Sequence, residues 1–276
     1  MRRPGRLQIL VAVAALMVVA GLAATQTVAE ARRNPRPTVT RQYRPAPTAT
    51  PVVTSTPTPA ATASPAAVAT PASSPAARFS DTFEGLTAGM SWLDSGVYGN
   101  WVDVFNGYGT AGIETSGDLV LAQAPKAATQ AGETHAALAV TAQNFSDVDL
   151  TLQLRTVSQL RTGSAPNPWE VAWALWNYTD NTHFYYVVLK PGGFEIGKED
   201  PAYPGAQRFL VTSGAMQFPV GRWYTVHIKQ VANAFTVSVD GVQIAQFTDN
   251  ERPYTAGAVG LYSEDAYVHF NNVVVQ

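Results

Sequence analysis

From Phe79 onward, apolar residues recur at every second position in short runs, and this period restricts the fold more than any other feature. Val148, Leu150, Leu152 and Leu154 alternate with Asp149, Thr151, Gln153 and Arg155. Successive side chains of an extended chain point to opposite faces, so this run has one apolar and one polar face. Tyr224, Val226 and Ile228 against Thr225, His227 and Lys229 repeat the pattern. Phe235, Val237 and Val239 lead into Asp240-Gly241, a dipeptide that supplies the positive φ of a type I′ turn, and Val242 to Phe247 reads as the returning strand. Further strands are expected at 117–122, 135–140, 208–212, 258–262 and 266–275. Gly, Pro, Asn and Asp clusters separate the runs, and no long window keeps a helical period. The expectation is an all-β domain over 79–276, an antiparallel two-sheet sandwich.

The first third of the chain reads differently. Arg2, Arg3 and Arg6 precede an almost unbroken apolar run from Ile9 to Ala24, followed by Ala29-Glu30-Ala31. Residues 1–31 are therefore expected to be an export signal, cleaved after Ala31 or kept as an anchor; the run is shorter than the ~20 residues of a spanning helix. Residues 32–78 are rich in Pro, Thr, Ala and Ser and lack the large apolar side chains of a core, which makes them a disordered linker. Proline biases such text toward an extended spacer of ~3.1 Å per residue. The domain is thus expected to be secreted or displayed on the cell surface, with membrane contact only through an uncleaved anchor.

Charge and cysteine content narrow the function. A net charge of −2, a pI near 6.1 and 14% charged residues give no basic footprint for nucleic acid. The absence of cysteine excludes disulfides, thiol catalysis and Cys-ligated zinc. His135, His183, His227 and His269 are scattered without i, i+2 or i, i+4 pairs, and no Gly-x-Ser-x-Gly motif supports a serine nucleophile. No required cofactor is expected. Hard oxygen ligands make calcium the one metal to consider.

The candidate site falls in 169–200, where aromatics, carboxylates and lysines interrupt apolar strand text. Alternation places Trp169, Val171, Trp173 and Leu175 on one face and Glu170, Ala172, Ala174 and Trp176 on the other. The first set is expected in the core; the second is expected to floor a groove where a sugar ring stacks on Trp176. Glu170 lies among apolar residues, where an unpaired carboxylate is costly, so it is expected to face the groove or a cation such as Arg155 or Lys190. On the next strand Tyr186 and Lys190 share a face, and after Pro191-Gly192-Gly193 comes Glu195, again between apolar neighbours. Glu170 and Glu195 are the candidate acid and base, with carboxylates ~5–5.5 Å apart for retention or ~6.5–9.5 Å for inversion. Lys198, Glu199 and Asp200, with Glu264 and Asp265, are expected on loops rimming the groove, and Tyr203 and Tyr254 would add stacking beside turn prolines.

The order of motifs also carries a family likeness. FSDTFEG at 79–85, GFEIGKED at 193–200, VGRWYTVHIKQ at 220–230, FTVSVDGVQIAQF at 235–247 and GAVGLYSEDAYVHFNNVVV at 257–275 resemble the concanavalin A-like lectin and glucanase superfamily. Within it the sequence looks most like the laminin G-like and 3-keto-disaccharide hydrolase-like branch. The resemblance implies a jelly-roll sandwich and a polysaccharide or glycan partner. It also implies a structural calcium where the first and last strands meet, at Asp81 and Asn271 or Asn272. The Glu-x-Asp-x-x-Glu strand of the laminarinase-type branch is missing, so retaining hydrolysis of that type is not implied. Three functions stand in order. The first is a monomeric, exported carbohydrate-binding module. The second is a glycoside hydrolase or lyase using Glu170 and Glu195, or Tyr186 and Lys190 as base and neutraliser. The third is a structural or adhesive surface domain.

Overall fold

The computed structural model describes residues 77–276; the expected export segment and all but the end of the linker lie outside the described residues. Among the described residues eighteen strands form two antiparallel sheets. In spatial order the first sheet holds β16 (Val242–Thr248), β15 (Ala234–Val239), β14 (Trp223–Val231), β9 (Asp149–Gln159) and β18 (Ala266–Val275). It continues with β6 (Asp118–Ala124), β5 (Thr110–Ser116) and β2 (Ser91–Trp92), while β1 (Phe79–Asp81) pairs with β18. The second sheet holds β13 (Gln207–Ser213), β12 (Gly193–Glu199), β11 (His183–Lys190), β10 (Ala172–Asp180) and β17 (Ala256–Glu264). Beyond β17 lie β7 (Ala136–Thr141), β4 (Trp101–Phe105) and β3 (Val97–Tyr98), and β8 (Phe145–Ser146) also pairs with β17. The only helical element among the described residues is a 3-10 turn, Pro204–Ala206, and no helix there is long and apolar enough to cross a membrane.

Neighbours far apart in sequence, β9 beside β18 and β10 beside β17, make this a jelly-roll sandwich rather than a meander. The strands expected from alternation recur within about two residues of their observed ends, except β9, which runs on to Gln159, four residues past the alternation that ends at Arg155. Asp240 (φ 49°) and Gly241 (φ 80°) both occupy the left-handed region that a type I′ hairpin needs.

Alternation also builds the core. Leu150, Leu152 and Leu154 of β9 and Val226 and Ile228 of β14 are buried between the sheets, against Trp176, Tyr185 and Val187 of the second sheet. The second sheet is apolar on its outer face too, where Trp173, Leu175, Tyr186, Val188 and Tyr262 form a separate cluster. That double coverage reverses one expectation. Trp176 is not on an open face: it is fully buried between the sheets, its Nε1 donates to Gln230 Oε1 at 2.6 Å, and its ring stacks on Tyr185 at 5.3 Å. Parity correctly separated Trp173 from Trp176, but with large apolar side chains on both faces it does not reveal which face meets the other sheet.

Candidate functional site

The outer face of the second sheet carries the polar residues singled out in β11 and β12. Alternation in β11 sends Tyr185, Val187 and Leu189 into the inter-sheet core and leaves Phe184, Tyr186 and Val188 on the outer side. Register then fixes their neighbours: Val188 lies opposite Glu195 and Lys190 opposite Gly193. Glu195 Oε1 accepts from the Tyr186 hydroxyl at 3.2 Å, and Oε2 accepts from Lys190 Nζ at 2.9 Å. Gln207 Nε2, from β13, donates to the Tyr186 hydroxyl at 2.9 Å and to Glu199 Oε1 at 3.1 Å. A continuous hydrogen-bonded line therefore runs from Lys190 through Glu195, Tyr186 and Gln207 to Glu199.

Gly197 is what lets the line cross β12. A Cβ at this position would come within 2.3 Å of the Tyr186 hydroxyl, so any side chain here would push the phenol off its two partners. Opposite Gly197 on β13 stands Phe209, 53% exposed although its strand is otherwise tied into the sheet. Behind the line Trp173 packs against Tyr186 at 4.9 Å and against Tyr262 at 5.2 Å, and its Nε1 donates to the Trp169 carbonyl at 2.8 Å. The Tyr262 hydroxyl donates to Glu264 Oε1 at 2.7 Å.

Glu170 belongs to a different set. Its Oε1 accepts from Arg161 Nε at 2.7 Å and from Asn167 Nδ2 at 2.6 Å. The same guanidinium donates to Asp265 Oδ2 at 3.2 Å and to the carbonyls of Gln130 and Glu133 at 2.6 and 2.8 Å. Asp265 Oδ1 accepts from the His135 backbone N–H at 3.1 Å. One buried arginine thus ties together three connections: the one before β10, the one before β7, and the β17–β18 turn. Burial pushes the Asp265 carboxyl up to about 7, with the Glu170 charge adding to the rise, and burial lowers His135 below the usual imidazole range.

A family model described as the 3-keto-alpha-glucoside-1,2-lyase-like domain matches residues 99–276, well over half of the chain. The chain belongs to this family. No curated protein matches it. Among solved structures, the carbohydrate binding module CBM66 from Bacillus subtilis is 15% identical, with 63% of this chain and 93% of that one covered at a TM-score of 0.47. The Bacillus licheniformis beta-glucanase is 13% identical over 72% and 97% of the two chains, TM-score 0.45. A laminarinase from Flavobacterium sp. UMI-01 is 11% identical over 72% and 99%, TM-score 0.48. Likenesses at these scores carry no argument about chemistry. The family match makes this a carbohydrate-binding or glycoside-hydrolase-like jelly-roll domain.

Within this 3-keto-alpha-glucoside-1,2-lyase-like domain, three of the residues expected at the site, Tyr186, Lys190 and Glu195, meet as described, and Glu199 joins them through Gln207. The others do not. Glu170 faces Arg161, not Arg155 or Lys190, and no hydrogen bond or ion pair joins it to Glu195. Arg155 lies on the outer face of the other sheet, because Leu152 and Leu154 take the inward positions of β9. Lys198 is not on a rim: it is fully buried, bonded to Asp249 at 2.7 Å and to the Glu251 and Arg252 carbonyls, with Tyr185, Tyr203 and Tyr254 around its ammonium at 5.3 to 5.9 Å. Asp200 pairs with Arg252 in the same clamp, and Tyr203 donates to Glu251. Glu264 and Asp265 are buried beside the Arg161 cluster rather than rimming a groove.

The calcium expectation does not fit its residues. The Asp81 carboxylate accepts from Phe83 N–H, Asn100 Nδ2 and Trp101 Nε1, and Asn271 Oδ1 accepts from Asn272 N–H, so N–H groups stand where a cation would have to. Among the described residues no group of three or more His, Asp or Glu is arranged to hold a metal ion.

The sequence does not reveal Gln207 and Phe209 as members of this face, because they follow a turn that hides their register, whereas Trp173, expected in the core, is buried in the outer-face cluster beside Tyr186.

Proposed function

We propose that the outer face of the second sheet is a saccharide-recognition surface centred on Glu195 and Phe209. The observation that carries the proposal is the exposed Phe209 ring beside the line from Lys190 to Glu199. A pyranose has apolar C–H faces and an equator of hydroxyls, so it suits a flat aromatic ring flanked by alternating donors and acceptors. Gln207 adds a buried amide oxygen with no hydrogen-bond partner. The family's description supports a sugar as the ligand class. In this reading the domain is exported and carried on the 32–78 spacer as a monomer, supported by the basic, apolar and proline-rich order of the N-terminal sequence.

Cleavage is the second reading, favoured by the family description and by the contact of Glu195 with Tyr186. On a 3-keto glycoside, a carboxylate here would take the proton on the carbon next to the ketone, and Lys190 would offset the enolate charge that develops. Collapse of the enolate to a new C=C bond would break the glycosidic C–O bond, its electron pair leaving on the departing oxygen, which takes a proton. A glycan array followed by product assays on 3-keto and ordinary glycosides, with wild type and Glu195→Gln, separates the readings. Binding without products in wild type supports recognition. Products that disappear in Glu195→Gln while binding persists support cleavage, and no retention of any glycan by wild type overturns both.

A further inference from the structure

Among the described residues every lysine and arginine except one has a hydrogen-bond or ion-pair partner. Lys126, Lys190, Lys198 and Lys229 pair with Glu133, Glu195, Asp249 and Asp149. Arg161, Arg208, Arg222 and Arg252 pair with Glu170, Glu251, Asp240 and Asp200, and Arg78 donates to three backbone carbonyls. Arg155 is the exception, and its Nε is nevertheless shut off from solvent without a partner. A guanidinium that has given up part of its water without gaining an acceptor is costly, which makes the position informative.

Arg155 lies mid-sheet on the outer face of the first sheet, opposite Trp223 of β14 on one side and His269 of β18 on the other. The Trp223 and His269 rings are 6.1 Å apart and tilted by 36°. His269 is 5% exposed; its Nε2 is 2.9 Å from the Tyr267 hydroxyl, and its Nδ1 is buried with no partner. The carboxylate beside it, Glu114, accepts a hydrogen bond from the Tyr267 hydroxyl and stands 3.6 Å from His269 Nε2. Trp223 is half-buried, and its indole N–H makes no hydrogen bond to the described residues. Elsewhere on this face Asp149 is bound to both His227 and Lys229.

We infer that Arg155 and Trp223 form a second saccharide site, on the opposite side of the sandwich from Glu195, that recognises a carboxylate-bearing sugar such as a uronic acid. The planar guanidinium fork matches the two oxygens of a carboxylate, and the neighbouring indole offers a face and a free N–H to the ring that carries it. A neutral sugar would leave the guanidinium as it is now. The site does not depend on the Glu195 reading.

The test is isothermal titration of the full chain with trigalacturonate, with galactotriose as the neutral counterpart and sodium acetate as the bare anion. Wild type is expected to bind trigalacturonate at least about tenfold more tightly than galactotriose, and Arg155→Gln is expected to remove that preference. Arg155→Lys should fall between the two because it keeps the charge and loses the fork, and Trp223→Ala should weaken trigalacturonate at unchanged charge. Equal affinity for the two trisaccharides in wild type would overturn the inference. So would unchanged trigalacturonate binding in Arg155→Gln or Trp223→Ala, or acetate competing as well as the trisaccharide.

Discussion

Glu170 and Glu195 each face a cation at close range, Arg161 at 2.7 Å and Lys190 at 2.9 Å, yet the two pairs have opposite surroundings. The side chains of Glu170 and Arg161 are 0% and 1% exposed, and the arginine's remaining donors go to Asp265 and to two loop carbonyls. Those of Glu195 and Lys190 keep 8% and 12%, and beyond them lie a phenol, an amide and the exposed Phe209 ring. The first pair is shut off from solvent, with Glu170 Oε2 buried and without a hydrogen-bond partner, and acts as a latch for three connections. The second retains solvent access and a neighbouring aromatic surface, which are what recognition needs. A buried ion pair is therefore not evidence of a site unless solvent, and with it a ligand, can reach it.

The sharpest way to break this contrast is to cut the latch. Arg161→Ala leaves the carboxylates of Glu170 and Asp265 buried without their cation and should destabilise the domain by about 3–5 kcal/mol, read as a shift of the urea midpoint. Lys190→Ala, the matching change on the other face, should cost less, about 1–2 kcal/mol, because the pair keeps some exposure and Tyr186 still donates to Glu195. If the two variants lose similar stability, the distinction between latch and site fails. Trp176→Ala should also cost about 3–5 kcal/mol, since it opens a large cavity in the inter-sheet core.

A smaller effect separates buried acids from accessible ones through pH. Asp103 is fully buried with no hydrogen bond to either carboxylate oxygen, and burial, reinforced by Asp94, pushes its carboxyl up to about 7. Its folded pKa lies above the unfolded value of about 4, so the folded state binds a proton that the unfolded state has released between those limits. Its contribution is fully present below pH 4 and is lost as pH rises toward 7. Asp103→Asn, which mimics the protonated form, should flatten the fall in stability across that window by on the order of 1 kcal/mol or more, checked by urea unfolding at successive pH values. An unchanged slope would mean that Asp103 is hydrated in solution.

How much was legible beforehand follows from how far each interaction reaches along the chain. Strand text and the Asp240-Gly241 hairpin are local, and period-two alternation named the inward Leu150, Leu152 and Leu154 correctly. Tyr186, Lys190 and Glu195 were legible as a group because they share parity on strands joined by the Pro191-Gly192-Gly193 turn. Phe209 and Gln207 were not, because the register shift between Ile196 and Gly197 decides which β13 residues stand beside them. Lys198 read as a solvated charge because its neutralising partner, Asp249, lies 51 residues away. Arg161 was invisible for the same reason: Asp265, 104 residues on, helps define its role.

The proposed sugar platform on the Phe209 side of the second sheet is tested most directly by Phe209→Ala. The ring is exposed, so its removal should change stability by no more than about 0.5 kcal/mol. Titration of wild type and variant with the glycan that wild type retains best on an array should show at least about a tenfold loss of affinity, at an unchanged melting temperature. Equal affinity in Phe209→Ala, with the fold intact, would contradict the assignment of this face.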